Sequence, residues 1–431
     1  MSGTPRAKAA RNHPGHDRRA RRAAFDRRRR PATMPRWRKR RGSVDCGPLH
    51  PGQGRNRPSA IEFRCARFQG YPICAVRRPD AQRGQPWAIP LLAILSASCA
   101  VNPSSAVAVT AGCGSSVPTS GPYTIAHGGI SRSYVLKVPS SYDVSRPARL
   151  VLAFHGWGGD ESEFLSDPTV VAEANRRGYV VVAPRGIGSG PPDRSNNSWT
   201  FRGSASGIIA EGTARIPICD TSITPDYTYP SCRGKRAFNT CSWTQCQDDD
   251  VGFVRALIEH LEAVLCIDTR HVFAVGGSNG GMFTWELGTN PRTASLFRAI
   301  APIIGLPHRG DLRPPGVPRG LPVILITGTS DSVVPPGDWD DTGYTTTSND
   351  HDRFYYTGAT AVIRRWSAAA GCPVGAREKP FSTGYPPADC RTYCATSDGT
   401  WPRVLDCRAQ MGHDYQLHWS WKLIMDFFDR L

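Results

Sequence analysis

Short, wholly apolar runs separated by helically spaced segments are what most constrain the fold of this chain. Residues 150–154, 179–183, 271–275, 299–304 and 322–326 each read as buried strands, and residues 134–138 add another. Runs this short and this apolar suit strands covered on both faces rather than strands with one wet side. Helical spacing occupies residues 162–177, 250–265, 357–370 and 419–430, with Gly178 and Gly371 as stops. In residues 250–265, Val251, Val254, Leu257, Ile258, Leu261 and Leu265 share one helix face. The alternation predicts an α/β domain, a mostly parallel central sheet with helices on both faces.

One segment breaks the alternation. Residues 186–247 have little periodicity, are rich in Gly, Pro, Ser and Thr, and carry Cys219, Cys232, Cys241 and Cys246. A structureless stretch of that length belongs in a compact domain only if it is functional or stapled. It reads as a Cys-rich insert, either a lid or binding loop or a purely structural addition.

Charge and cysteine usage separate the body from what precedes it. The first 83 residues hold 23 basic and 5 acidic residues, and the remainder holds 30 and 31, so the net +17 of the chain resides in the leader. Residues 1–75 have few aliphatics and no amphipathic period, which predicts a basic, disordered leader, or sequence upstream of a native start near Val76. The competing reading is a nucleic-acid or nuclear-localisation tail. Residues 87–101 are apolar, too short to span a bilayer, preceded by Arg77, Arg78 and Arg83 and followed by small residues. Residues 76–108 therefore read as a signal peptide region, with cleavage between Ala97 and Ala111, and residues 109–431 as the domain it exports. Ten cysteines remain in that domain, an even number that implies disulfides in an exported protein, with connectivity open. The expected location is extracellular.

The chemistry is concentrated in Gly276-Gly277-Ser278-Asn279-Gly280, which follows a hydrophobic strand and precedes a helical stretch. In that context a Gly-x-Ser-x-Gly sequence is a nucleophile elbow. The turn holds Ser278 in a strained conformation with its hydroxyl exposed, and Gly276 and Gly280 let flanking backbones pass. Such an elbow needs an oxyanion hole. One donor is the N–H of Asn279; the other is the N–H of Trp157, in the His155-Gly156-Trp157-Gly158-Gly159 turn that ends an earlier strand. His155 reads as a structural residue of that turn. The acid follows in chain order, then the base. Asp331 sits just past the strand at 322–326, while Asp338 and Asp340 lie farther out. His413 is the candidate base, with His418 opening the closing helix; surface roles suffice for His308 and His351. Asp248, Asp249 and Asp250 read as helix-capping carboxylates. No metal site and no cofactor is implied.

These motifs fall in an order that resembles the secreted feruloyl esterase and polyhydroxybutyrate depolymerase-like family, grouped with carbohydrate esterase family one. The resemblance rests on residues 112–114, 133–139, the His155 turn, residues 249–253 and 265–268, the Ser278 elbow and Gly328 to Asp331, and it spans roughly residues 112–431. It implies an α/β-hydrolase fold and a secreted serine carboxylic-ester hydrolase with Ser278 as nucleophile, Asp331 as acid and His413 as base. The implied substrate is an ester, polymeric in kind: hydroxycinnamoyl or other acyl groups on plant cell-wall polysaccharide, or alternatively a polyester or short-chain ester. No nucleic-acid partner and no membrane association after signal cleavage are implied. A non-catalytic wall- or nucleic-acid-binding protein using the basic leader is the reading from a different class.

Overall fold

A computed structural model of the protein describes residues 63–68, 71–76, 109–188, 196–225, 227, 229–232, 241–246, 249–317, 320–348, 351–373, 375, 377–394 and 401–431. The chain divides into two units, Met1–Ala97 and Ser98–Leu431. In the first, strands Phe63–Phe68 and Tyr71–Val76 pair antiparallel. A two-stranded ribbon is marginally stable at best in water. The rest of the basic leader, and the signal peptide region beyond Val76, lie outside the described residues.

The second unit is built on a ten-stranded sheet. Its strands are β1 (Gly121–His127), β2 (Ile130–Lys137), β3 (Ala148–Phe154), β4 (Tyr179–Pro184), β5 (Ile267–Gly277), β6 (Ala299–Ile303), β7 (Val323–Gly328), β8 (Lys379–Pro380), β9 (Ala388–Thr392) and β10 (Val404–Ala409). Across the sheet they run β8-β9-β10-β7-β6-β5-β3-β4-β2-β1. The six central strands from β10 to β4 are parallel, and antiparallel pairs close both edges. This is the α/β-hydrolase arrangement, with a strand–turn–helix at the middle of the sheet.

Strand periodicity divides the core into two. Leu150, Leu152, Val272, Ala274, Val323 and Leu325 point to one face, where they meet α2 (Asp250–Val264), α3 (Asn279–Thr289) and α4 (Ala359–Ala369). Val151, Ala153, Phe273, Val275, Ile324 and Ile326 point to the other, against α1 (Pro168–Arg177) and α5 (Leu417–Asp429). Alternation across the pleat is why these runs are apolar throughout.

Local chemistry adjusts three expectations. The helix expected over residues 162–177 forms as two. Ser162–Leu165 is a single turn, and α1 restarts at Pro168, which lacks an N–H and disfavours helix in the residue before it. Asp167 is extended and its carboxylate caps α1 by accepting the Thr169 N–H at 2.7 Å. The helix expected from residue 357 begins at Ala359, because Tyr355–Thr357 pairs as a strand with Tyr344–Thr346. Of the acidic run, Asp249 caps α2 through the Gly252 N–H, but Asp250 is buried. It accepts from the Arg132 guanidinium at 2.9 Å and the Thr200 N–H at 2.8 Å. Asp248 lies outside the described residues.

The ten cysteines of residues 109–431 form five disulfides: Cys113–Cys266, Cys219–Cys241, Cys232–Cys246, Cys372–Cys394 and Cys390–Cys407. Two of them lie inside the insert and staple it. Among the described residues, no helix is long and apolar enough to cross a membrane.

Candidate active site

β5 delivers the chain to Ser278, whose backbone is at φ 50° and ψ −116°. A side-chain-bearing residue avoids that region unless its surroundings enforce it. Here the Ser278 N–H donates to the Ile303 carbonyl at 2.9 Å, and the Ser278 carbonyl accepts the Met282 N–H at 2.9 Å. The flanking glycines are needed for space. A methyl on Gly276 would lie 2.2 Å from the Gly280 carbonyl oxygen, and one on Gly280 would lie 2.0 Å from that of Phe154. The turn thus projects the Ser278 hydroxyl from the end of the sheet.

Two further loops at the same end of the sheet meet it. His413, after β10, places Nε2 2.8 Å from Ser278 Oγ. Its Nδ1 is 2.8 Å from Oδ2 of Asp331, which follows β7. The other Asp331 oxygen accepts the N–H groups of Val333 (2.8 Å) and Val334 (2.9 Å). With its side chain fully buried and three donors on it, Asp331 has one orientation open to it. Asp338, Asp340 and His418 are exposed and His351 is also at the surface.

The loop after β3 lies beside Ser278: a methyl on Gly156 would come within 3.5 Å of Ser278 Cβ. His155, fully buried, organises it. Its Nε2 accepts the Gly186 N–H at 2.8 Å, so Nδ1 carries the proton and donates to the Gly156 carbonyl at 2.7 Å. Burial holds this imidazole down at about 4, so it stays neutral. Since the peptide is planar and trans, fixing the Gly156 carbonyl also fixes the Trp157 N–H on the opposite edge. Asn279 opens α3 at the dipole's positive end. Its side chain does something the sequence did not indicate: Oδ1 accepts the Trp199 N–H at 2.7 Å and Nδ2 donates to the Trp199 carbonyl at 3.0 Å. The residue after Ser278 therefore ties down the insert.

The insert walls the site. A cleft opens on Ser278 and is lined by Trp157, Tyr227, Trp243, Phe354 and Tyr356, together with Met282, Val333, Val334, Thr347 and Asp352. Tyr227 and Trp243 belong to the insert. Trp157 Nε1 donates to Tyr229 Oη and to the Trp243 carbonyl, which fixes its half-exposed ring. The Tyr227 hydroxyl donates to Asp352 at 3.1 Å. His308 is not a surface residue: it is 0 % exposed, stacked between Phe201 and Tyr356, and its Nε2 accepts from Trp243 Nε1 at 3.0 Å. Phe201 and Trp243 come from the aperiodic insert, so nothing near His308 in the chain marks its burial. Burial holds it, too, at about 4. Among the described residues no cluster of His, Cys, Asp and Glu is arranged to hold a metal ion.

No family model matches the chain. Among curated proteins it is 22% identical over 256 residues to a probable feruloyl esterase C of Aspergillus niger, covering 58% of this chain and 66% of that protein. It is 27% identical over 217 residues to feruloyl esterase D of Neurospora crassa, covering 50% and 59%. The chain spans about half to two thirds of the length of the curated relatives it matches. Among solved structures, acetyl xylan esterase from Aspergillus awamori aligns over 72% of this chain and 99% of that one, with 13% identity and a TM-score of 0.44. By its own strand order and elbow the domain is an α/β-hydrolase, and in sequence it resembles the feruloyl esterases.

Proposed function

We propose that the chain is a secreted carboxylic-ester hydrolase acting by two-step acyl transfer, with feruloyl-type esters as substrates. The observation that carries this reading is the unbroken hydrogen-bond chain from Asp331 through His413 to the strained Ser278. His413 Nε2 takes the Ser278 proton as Oγ attacks the ester carbonyl. The new C–O bond pushes the carbonyl electrons onto oxygen, and the Trp157 and Asn279 N–H groups receive the oxyanion. The tetrahedral adduct collapses, the alcohol leaves with the proton returned by His413, and water repeats the sequence on the acyl-enzyme. Asp331 holds the imidazole tautomer and balances the imidazolium.

The aromatic walls of the cleft favour a planar aryl acyl group over a flexible aliphatic one. The five disulfides are consistent with an oxidising compartment, and so with the export expected of residues 76–108. The domain is taken as residues 109–431 with the insert at 186–247 as part of the substrate site. Turnover of methyl ferulate, polyhydroxybutyrate film and p-nitrophenyl acetate by the purified protein tests the substrate class. Preference for methyl ferulate supports the aryl-ester reading. Preference for the film, or for p-nitrophenyl acetate alone, replaces it with a polyester or short-chain esterase.

A further inference from the structure

Tyr415 lies two residues after His413, and no step above uses it. Its side chain runs beneath the site and meets both other loops. A methyl on Gly277 would lie 2.1 Å from Tyr415 Cζ, and one on Gly156 would lie 2.4 Å from its hydroxyl oxygen. The ring is thus the spacer that sets the distance between the base loop, the elbow and the oxyanion loop. It is held from behind by the single turn Ser162–Leu165. Phe164 stacks on it at 5.5 Å between ring centres, and the Tyr415 hydroxyl hydrogen-bonds the Glu163 carboxylate. Glu163 in turn accepts the Gly156 N–H at 2.9 Å.

We propose that Tyr415 and Glu163 are a positioning pair that sets the oxyanion loop against Ser278 for the esterase reaction, a role that rests on the serine-hydrolase reading above. Gly156 is held at both ends, its N–H by Glu163 and its carbonyl by His155, so the Trp157 N–H has no freedom to turn from the oxyanion. The pair meets the chemistry only through backbone, and so acts on the transition state rather than on substrate affinity. Burial and the adjacent Glu163 carboxylate keep the Tyr415 phenol protonated, which makes it the donor of the pair. Burial also raises the Glu163 carboxyl, with the Tyr415 hydroxyl and the Gly156 amide opposing.

The test compares Tyr415→Phe, Glu163→Ala and Glu163→Gln in the full chain with methyl ferulate, alongside affinity for an aryl boronic acid, which forms a tetrahedral adduct on the serine. Tyr415→Phe and Glu163→Ala are expected to lower kcat about 10- to 100-fold, the scale of a sub-ångström to ångström misplacement. KM is expected to stay within about two-fold, and boronate affinity to fall in step with kcat. Glu163→Gln keeps an acceptor for the Gly156 amide and is expected to recover most of what Glu163→Ala loses. Unchanged kcat in Tyr415→Phe overturns the proposal, as does a parallel change in KM with boronate affinity intact. If Tyr415→Phe unfolds, the Glu163→Ala and Glu163→Gln comparison decides alone. Failure of the serine reading itself shows separately, as activity in Ser278→Ala.

Discussion

Acid should unfold this protein through two histidines that the structure requires to be neutral. His155 and His308 each accept a hydrogen bond on Nε2 and carry their proton on Nδ1, next to the carbonyls of Gly156 and Tyr355. A second proton on either ring would face a donor, Gly186 N–H or Trp243 Nε1–H. Burial lowers both from 6.5 to about 4. Between pH 6.5 and 4 the unfolded chain binds protons that the folded chain excludes, so stability rises with pH across that window and is lost as pH falls through it. The fall from 6.5 to about 4, at about 1.36 kcal/mol per pH unit, gives about 3 kcal/mol for each histidine. Together that is a large share of the 5–15 kcal/mol typical of a folded domain. Urea unfolding followed by tryptophan fluorescence at pH 7, 6, 5 and 4 measures the loss. Each histidine should contribute close to 1.4 kcal/mol per pH unit in mid-window, and His155→Gln and His308→Gln should each remove about that much of the slope. Stability that is flat over the window, or a slope that neither substitution changes, refutes the reasoning.

Other expectations follow from the same geometry. Replacing Cys113 and Cys266 by serine opens a loop of 153 residues and should lower stability by about 5 kcal/mol on the chain-entropy scale, against about 3 for the 14-residue Cys232–Cys246 loop; thermal unfolding of the two double variants checks the order. Asp331→Asn keeps the loop's shape but offers His413 Nδ1 the wrong partner, and kcat on p-nitrophenyl acetate should fall by about 10⁴ at pH 7. Trp243→Ala removes a cleft wall and orphans His308 Nε2, so KM for methyl ferulate should rise at least about ten-fold, with a smaller change for p-nitrophenyl acetate, whose acyl group does not fill the cleft.

What could be read from the sequence is what neighbouring residues dictate to one another. The elbow was legible because Gly276, Ser278 and Gly280 satisfy a constraint that acts within five residues. The parallel sheet was legible because a strand covered on both faces must be apolar at every position, as residues 150–154 and 179–183 are. Asp331 and His413 stood out because each follows a buried strand in the expected chain order, and the structure sets His413 against Ser278 and Asp331 against the far side of His413. Other features depend on segments that meet only in space. Tyr415 is not marked by its neighbours in the chain, since Gly156 and Gly277, which it meets, come from other loops, and Glu163 is recognisable only once Tyr415 is placed against it. The burial of His308 depends on Phe201 and Trp243, which belong to the stretch with no periodicity to read. Helical spacing continues on both sides of Pro168, so periodicity alone does not show the break there. Disulfide pairing follows the path of the whole chain, which spacing alone does not determine.

The most direct measurement is covalent labelling of the nucleophile. The purified protein is treated with diisopropyl fluorophosphate, digested and mapped by mass spectrometry, with Ser278→Ala treated in parallel and both assayed on p-nitrophenyl acetate. The expected result is one adduct per chain on Ser278, loss of activity in step with labelling, and neither adduct nor activity in Ser278→Ala. Full activity in Ser278→Ala, or inactivation with the adduct on another residue, contradicts the assignment of Ser278 as the nucleophile.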